Sequence, residues 1–514
     1  MAIRARRPGK ELCQQSPSPP SGSHNGTKSR TCEKASKDSK QDILNPLRAS
    51  PPECKKKAQF CFEIHGRNVL QLIIPIFDIH GDKTNGTADG TEEWGYTDVR
   101  EGAHLFWWLY YSDVLKVEST PLVLWLQGGP GASGVGYGNF EEIGPLTTSL
   151  QKRESTWLKA AHLLFVDLPV GTGYSYVEDP SFLCKTDAQV VDDLVSFLQL
   201  FFKTHKALTK SPFYIVAESY GGKFASGAAV AIKKRLSELK FNFQGVAIGD
   251  TWISPMDFLY AWPPVLKSFS LVDDADKARL DSYADLAASE LEKGKFVNAT
   301  YIWGDMEVEV LRVTDNVDFY NLLNHESEEE LLRSSLETRL GARLLKKNAP
   351  DPLETLMNGP IRQKLRIIPD SVHWGESSGD VFGEMLGDFM IPRIDQVDEM
   401  LALGVKLVIY SGQLDLICCT IGTEAWVQKL KWPGLAKFNQ AKRTAISCGE
   451  TQTAAFVKHY GNLTFYWIMN AGHMVPTDSP CMALKMLKLI TEQGEREDLV
   501  YQEDAATGWR REQE

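Results

Sequence analysis

The sequence predicts an α/β fold in which a mostly parallel sheet is covered by helices on both faces. Several short apolar runs have no polar interruption, which is typical of strands buried on both faces. Helical patterns separate these runs, and one run passes through a tight turn into a helix of small residues. Strands that alternate with helices favour a parallel sheet, because parallel strands need crossover connections.

The elements follow one another regularly from about residue 94. The predicted strands are His104–Tyr111, Leu122–Leu126, Leu163–Val166, Phe213–Val216, Val246–Ile248, Lys406–Tyr410 and Leu463–Ile468. Residues 187–202 predict a helix before the fourth strand, since their apolar side chains recur on one helical face.

Residues 92–260 and 394–491 are expected to form the core of the fold. Between them, residues 261–393 break the strand–helix rhythm with interrupted, charged helical patterns, which indicates a helical insertion, or cap, above the sheet. Residues 1–91 are rich in Ser, Pro and Lys, and we expect either a disordered extension or a leader outside the folded protein. Residues 492–514 are expected to be a polar tail.

Composition limits the classes of function. The chain has 514 residues, of which 43% are hydrophobic and 24% charged, as in ordinary globular proteins. A net charge of −11 without a basic stripe argues against a nucleic-acid partner. No apolar run reaches about 18 residues, so no membrane span is predicted. The nine cysteines have no metal-like spacing, so we expect no metal and no other cofactor. The oligomeric state is left open.

Four sequons for N-glycosylation point to a secretory route, although no N-terminal signal is recognised. They lie at Asn25, Asn85, Asn298 and Asn462.

The turn after the fourth strand is organised around Ser219. Ala217 and Gly221 flank it at minus two and plus two, a spacing typical of a nucleophile elbow. The flanking residues must be small, because a tight strand-to-helix turn brings backbones close together. A strand that turns into a helix and happens to carry a serine is the simpler interpretation, and the partners of Ser219 decide between the two.

An elbow serine needs a base, and the base needs an acid that orients it. In such a sheet, both belong on loops after later strands, in the order Ser, Asp, His. Asp415 follows the strand that ends at Tyr410, and His473 follows the last predicted strand through a glycine. We therefore predict a triad of Ser219, His473 and Asp415.

An oxyanion formed at Ser219 needs two backbone donors. The N–H of Tyr220 is the first, and the second should come from the glycine-rich loop after the strand Leu122–Leu126. Glycine lets the backbone approach a substrate without a Cβ in the way, and we choose Gly129.

Six motifs in this order resemble the serine carboxypeptidases, over roughly residues 94–489. They are Trp125-Leu-Gln-Gly-Gly-Pro-Gly131, Glu142-Ile-Gly-Pro145, Asp167-Leu-Pro-Val-Gly-Thr-Gly-Tyr-Ser175, Glu218-Ser-Tyr-Gly-Gly222, Gly412-Gln-Leu-Asp415 and Gly472-His-Met-Val-Pro476. The resemblance implies an α/β-hydrolase fold with a helical insertion. It also implies release of single amino acids from peptides with a free C-terminal carboxylate, usually at acidic pH, in lysosomes or outside the cell.

The resemblance further implies a site for the C-terminal carboxylate of the peptide. The matching positions are Trp125, Gln127, Gly128, Glu142 and Glu218. Gln127 stands where the family has Asn, which keeps the amide and lengthens its reach. Since neighbouring carboxylates cannot all ionise, a protonated Glu142–Glu218 pair could donate to the peptide carboxylate.

Two further comparisons with the family concern cysteines. The family often has Cys after Gly-Gly-Pro-Gly, whereas Ala132 stands here, so a disulfide at that point is excluded. Cys418 matches a free cysteine that lines the pocket of a family member, and with Met474 it is a pocket candidate; simple packing would explain it equally well.

Two other functions remain compatible with the sequence. The same acyl-enzyme could transfer its acyl group to an alcohol or amine instead of water. The chain could also be a non-catalytic stabilising partner protein whose triad is incidental.

Overall fold

The computed structural model describes residues 80–84, 92–112, 116–325, 351–449 and 452–493, with backbone alone for the first of these ranges. The expected N-terminal extension up to residue 79, the sequons at Asn25 and Asn85, and the expected polar tail beyond residue 493 lie outside the described residues.

Twelve strands form one sheet within the described residues. They are β1 (His80–Thr84), β2 (Glu92–Arg100), β3 (Ala103–Tyr110), β4 (Leu122–Leu126), β5 (His162–Val166), β6 (Tyr176–Val177), β7 (Phe213–Glu218), β8 (Phe243–Gly249), β9 (Lys406–Gly412), β10 (Thr444–Ser447), β11 (Thr453–Tyr460) and β12 (Leu463–Ile468). Their order is β1-β2-β3-β5-β4-β7-β8-β9-β12-β11-β10, and β6 pairs with β3.

The centre of the sheet is parallel and both edges are antiparallel. All neighbours from β5 through β4, β7, β8 and β9 to β12 are parallel. The remaining pairs, which include β2 with β3 and β11 with β12, are antiparallel. The predicted α/β fold is therefore confirmed, whereas the strands β1, β2, β6, β10 and β11 were missed.

Helices connect the strands and cover the sheet. The described helices are α1 (Asp187–Thr204), α2 (Gly221–Leu239), α3 (Pro255–Ser268), α4 (Asp274–Glu292), α5 (Phe296–Thr314), α6 (Pro352–Leu356), α7 (Arg362–Leu365), α8 (Gly379–Glu384), α9 (Leu386–Phe389), α10 (Ile394–Ala402), α11 (Thr420–Val427), α12 (Leu435–Gln440), α13 (Val475–Asp478) and α14 (Pro480–Ile490). Wide helical turns occupy Gly134–Ile143 and Met357–Ile361. Among the described residues, no helix combines the length and the apolar character needed to cross a membrane.

Both faces of the sheet are buried against apolar side chains. Along β4, Leu122, Leu124 and Leu126 belong to one hydrophobic cluster, while Val123 and Trp125 belong to another. Successive side chains of a strand point to opposite faces, so the two clusters are the two sides of the sheet. This double burial explains why β4 has no polar residue.

The described residues between β8 and β9 form helices α3 to α10 and add no strand to the sheet. One non-helical segment of this region, residues 319–322, hydrogen-bonds to the loop after β9: Leu322 N donates to Leu414 O at 2.9 Å, and Leu416 N donates to Phe319 O at 3.0 Å. The region therefore meets the sheet at its carboxyl edge.

A disulfide joins Cys448, after β10, to Cys481 in α14, across a separation of 33 residues. It ties an antiparallel edge of the sheet to the last helix. We expect the double variant Cys448→Ala/Cys481→Ala to lose roughly 3–4 kcal/mol of unfolding free energy, because the unfolded chain gains loop entropy. Chemical denaturation with and without reductant measures this loss. A wild-type protein that reductant does not destabilise would contradict the expectation.

Candidate active site

Ser219 lies in the turn between β7 and α2 with a positive φ of 57°. Its N–H donates to Gly249 O at 3.1 Å, and its carbonyl accepts the N–H of Trp252 at 3.1 Å. A Cβ at Gly221 would lie 2.6 Å from Leu126 O, so this position must be glycine if the turn is to close against β4. A non-glycine residue in the left-handed region is strained, and such strain is often found at functional sites.

The glycine-rich loop after β4 approaches Ser219 closely. A Cβ at Gly128 would lie 2.4 Å from Ser219 Cβ and 2.8 Å from the backbone nitrogen of Tyr220. Within the described residues, the N–H groups of Tyr220 and Gly129 donate to no protein acceptor. Both N–H groups are therefore free to bind an oxyanion.

His473 and Asp415 are joined by a buried hydrogen bond. His473 Nδ1 lies 2.9 Å from Asp415 Oδ2, and both side chains are almost fully buried. The other carboxylate oxygen, Asp415 Oδ1, accepts the N–H of Cys418 at 3.2 Å. These contacts fix the carboxylate beside the imidazole, and an Nδ1–H tautomer that donates to it would leave the lone pair on Nε2.

The insertion positions His473, which the sequence did not reveal. His473 N donates to Tyr320 O at 2.7 Å, and the rings of the two residues meet edge to face at 5.1 Å. A Cβ at Gly472 would lie 2.1 Å from the same Tyr320 oxygen. The glycine before the histidine is needed for this close approach.

Ser219 and His473 reach the same edge of the sheet through neighbouring strands. Ser219 N donates to Gly249 O at the end of β8, and the next residue, Asp250, donates its N–H to Tyr410 O of β9 at 3.0 Å. The end of β9 in turn lies against the loop after β12, since a Cβ at Gly412 would lie 2.0 Å from Gly472 O. Among the described side chains, no hydrogen bond joins Ser219 to His473. Catalytic hydrogen bonds often tighten only when substrate binds.

The predicted carboxylate-binding residues form one buried hydrogen-bonded group. Gln127 Oε1 accepts Trp125 Nε1–H at 2.6 Å, while Gln127 Nε2 donates to Glu142 Oε1 at 3.1 Å and to Glu218 Oε1 at 2.8 Å. The amide of Gln127 is thus fully engaged in holding the two glutamates. Glu142 Oε2 and Glu218 Oε2 are buried without a donor among the described residues.

Burial changes the protonation of these glutamates. Burial raises the pKa of Glu142 to about 7, although the hydrogen bond from the Gln127 amide lowers this pKa in part. Burial and the adjacent Glu142 raise the pKa of Glu218 well above its ordinary value. The pair therefore carries at least one proton at acidic pH, and a protonated carboxyl group can donate where a carboxylate cannot.

A second buried polar group surrounds the side chain of Tyr220, the residue after Ser219. The Tyr220 hydroxyl donates to Asp187 Oδ1 at 2.8 Å, and Arg393 Nε donates to Asp187 Oδ2 at 2.7 Å. Lys223 Nζ, one turn into α2, donates to Phe389 O at 2.8 Å, and burial lowers its pKa to about 8. Since Phe389 and Arg393 belong to the region between β8 and β9, this group connects the turn at Ser219 to that region.

The remaining candidates have different surroundings. Cys418 is fully buried and has no disulfide partner. Its sulfur lies within 4.8 Å of a carboxylate oxygen of Asp415 and of a ring nitrogen of His473. Met474 is half-buried. Asn298 is exposed. Asn462 donates its amide to Leu401 O at 3.0 Å and to Val405 O at 2.8 Å, so a glycan there would break one of these bonds.

We expect Gly128→Ala to lower the rate of labelling by a fluorophosphonate about 100-fold, because the new Cβ would displace the serine from its position. Gly359→Ala is the matched control, since a Cβ there meets nothing within 4 Å. Thermal unfolding of both variants checks that they fold. Equal labelling of the two folded variants would contradict the close approach.

Comparison with known proteins identifies the family of this chain. The family model for serine carboxypeptidases matches residues 83–493. The chain is 50% identical to mouse (Mus musculus) retinoid-inducible serine carboxypeptidase, over 79% of this chain and 92% of the relative. It is 46% identical to serine carboxypeptidase-like 51 of Arabidopsis thaliana, over 79% of this chain and 93% of the relative.

A solved structure shares the fold. The crystal structure of Kex1ΔP, a prohormone-processing carboxypeptidase of Saccharomyces cerevisiae, aligns with a TM-score of 0.68 at 21% identity, covering 79% of this chain and 92% of that chain. The family resemblance carried by the six sequence motifs is thus confirmed. This chain belongs to the serine carboxypeptidase family.

Proposed function

We propose that this chain removes single C-terminal amino acids from peptides through an acyl-enzyme on Ser219. The observation that carries the proposal is the buried group of Gln127, Glu142 and Glu218 directly beside the elbow serine. Glu218 precedes Ser219 in the chain, so a carboxylate held by this group places the last peptide bond of a substrate near the hydroxyl. An endopeptidase binds a chain that continues past the cleaved bond, so it would not need a site for a terminal carboxylate.

The chemistry follows from the positions of the groups. Ser219 Oγ attacks the carbonyl carbon of the last peptide bond while His473 Nε2 takes the hydroxyl proton. Asp415 stabilises the imidazolium through Nδ1, and the N–H groups of Gly129 and Tyr220 bind the oxyanion. The imidazolium then protonates the leaving amine, and a water activated by His473 hydrolyses the ester.

The proposal extends to domain organisation and compartment. Residues 261–393 would act as a cap, and the contact of Tyr320 with His473 supports this role. Processing in the secretory pathway, to the lysosome or outside the cell, is supported by the Cys448–Cys481 disulfide, because disulfides persist in oxidising compartments.

We expect Ser219→Ala to abolish fluorophosphonate labelling and to lower kcat on a blocked peptide by roughly 10⁴-fold or more, since the nucleophile is lost. The same peptide with an amidated C-terminus should be a poor substrate of the wild type. Mass spectrometry of the products identifies single released amino acids. Cleavage of the amidated peptide at the same rate as the free-carboxylate peptide would contradict the proposed carboxylate site. Acyl transfer from an ester to an added amine, without hydrolysis of peptides, would instead favour a transferase.

We expect KM for a free-carboxylate peptide to rise by roughly tenfold per pH unit above pH 7, because Glu142, whose pKa is raised to about 7, then loses the proton that it donates. Glu142→Gln, which keeps a donor at every pH, should flatten this rise. Fluorophosphonate labelling is the control, since the reagent has no terminal carboxylate. A KM that stays constant from pH 5 to 8 in the wild type would contradict the role of the glutamate pair.

A further inference from the structure

Ser133 is a fully buried serine that begins the wide turn Gly134–Ile143, and it was not among the predicted site residues. Its hydroxyl donates to Asp167 Oδ1 at 2.6 Å. The same oxygen accepts the N–H of Gly136 at 2.9 Å and the indole N–H of Trp374 at 3.0 Å. A hydroxyl group has one hydrogen to donate and two lone pairs that accept, so the hydrogen-bonding capacity of Ser133 is fully used.

The carboxylate of Asp167 is a fixed partner for this serine. Asp167 directly follows β5 and is fully buried. Its Oδ1 also accepts the N–H of Val135 at 3.1 Å, and its Oδ2 accepts the N–H of Tyr174 at 2.8 Å. A Cβ at Gly173 would lie 2.3 Å from Asp167 Oδ2, so the following chain is wrapped tightly around the carboxylate. Ser133 and Asp167 therefore tie the first residues of the wide turn to the sheet.

The first half of the wide turn packs against the group around Gln127. A Cβ at Gly138 would lie 2.3 Å from Trp125 Nε1 and 2.8 Å from Gln127 Oε1. The backbone of the turn therefore touches the amide that donates to Glu142 and to Glu218. Because protein interiors are closely packed, a shift of this backbone would displace the amide from the two glutamates.

The other end of the wide turn is tied separately. Arg153 Nε donates to Gly144 O at 3.1 Å, and Thr156 Oγ1 donates to Ile143 O at 3.1 Å. Neither of these hydrogen bonds involves Ser133. Loss of the Ser133 hydroxyl should therefore release the first half of the turn while the second half stays in place.

We propose that Ser133, bound to Asp167, is a positioning residue for the carboxylate of the substrate: it holds the wide turn against Gln127 and so keeps the amide aligned on the two glutamates. This inference rests on the proposed carboxylate site. Trp374 belongs to the region between β8 and β9, so its hydrogen bond makes Ser133 a point at which that region also contacts the wide turn. Truncation of the hydroxyl would loosen the carboxylate site and leave the turn at Ser219 in place.

The test compares Ser133→Ala with the wild type on two peptides that differ only at the C-terminus, which is a free carboxylate or an amide. A pH of 6.5 is suitable, because it lies above the pKa of Asp167, which burial raises to about 6, and below that of Glu142, which burial raises to about 7. We expect KM for the free-carboxylate peptide to rise roughly tenfold and kcat to stay within about threefold. Fluorophosphonate labelling and kcat/KM for the amidated peptide should stay within about twofold of wild type.

Asp167→Asn is a second variant that reaches the same hydrogen bond from its other end. Asn keeps the size of the side chain, but all three partners of Asp167 donate to it, so the NH2 group must face one donor. KM for the free-carboxylate peptide should rise as in Ser133→Ala, with fluorophosphonate labelling again unchanged. If Ser133→Ala does not fold, the same criteria apply to Asp167→Asn.

The matched control is Ser211→Ala, since Ser211 is also fully buried and its hydroxyl donates to Val117 O at 2.7 Å. Ser211 lies before β7, whereas Ser219 follows the opposite end of that strand. This control should keep the wild-type KM and labelling rate, and thermal unfolding checks that each variant folds.

Two outcomes would overturn the positioning role of Ser133. One is a folded Ser133→Ala whose KM for the free-carboxylate peptide stays within about twofold of wild type. The other is an equal loss of labelling and of activity on both peptides, which would indicate general damage to the site. A wild type that does not prefer the free carboxylate would instead overturn the proposed carboxylate site, so the two failures are distinguished.

Discussion

Four carboxyl groups are buried together at the carboxyl edge of the sheet, and they cannot all be ionised at once. The amide of Gln127 joins Glu142 to Glu218, while Asp250 and Asp415 are buried nearby and their charges act on Glu218. In water the repulsion between such groups would be screened, whereas burial strengthens it and favours protonation of some of them. The proposed substrate site therefore depends on a proton that burial retains at acidic pH.

The second constraint is the closeness of backbones around Ser219. Gly128, Gly221, Gly412 and Gly472 each lie where a Cβ would fall within 3 Å of another part of the edge. Because glycine has no side chain at these positions, the ends of four strands can approach one another closely. The strained serine is held there by hydrogen bonds to the segment after β8, so the elbow is supported by its neighbours and not by its own turn alone.

The residues between β8 and β9 form part of this edge of the sheet. Tyr320 accepts the N–H of His473, and Phe319 accepts the N–H of Leu416. On the other side, Arg393 forms ion pairs with the buried Asp187 and Asp388 behind Tyr220, and Lys223 donates to the backbone carbonyl of Asp388. The region between β8 and β9 thus contacts both His473 and the group around Tyr220.

The sequence by itself determined the parallel centre of the sheet, the elbow and the family, because these are written in local patterns: continuous apolar runs, small residues beside a serine, and motifs in a fixed order. It missed the edge strands, such as β11, because they are half-buried and lack a continuous apolar run. Only the tertiary structure decided that Cys448 pairs with Cys481, that Tyr320 holds His473 and that Asp250 accepts the N–H of Gly412. Each of these contacts joins residues distant along the chain, and local propensity carries no information about which distant groups burial will bring together.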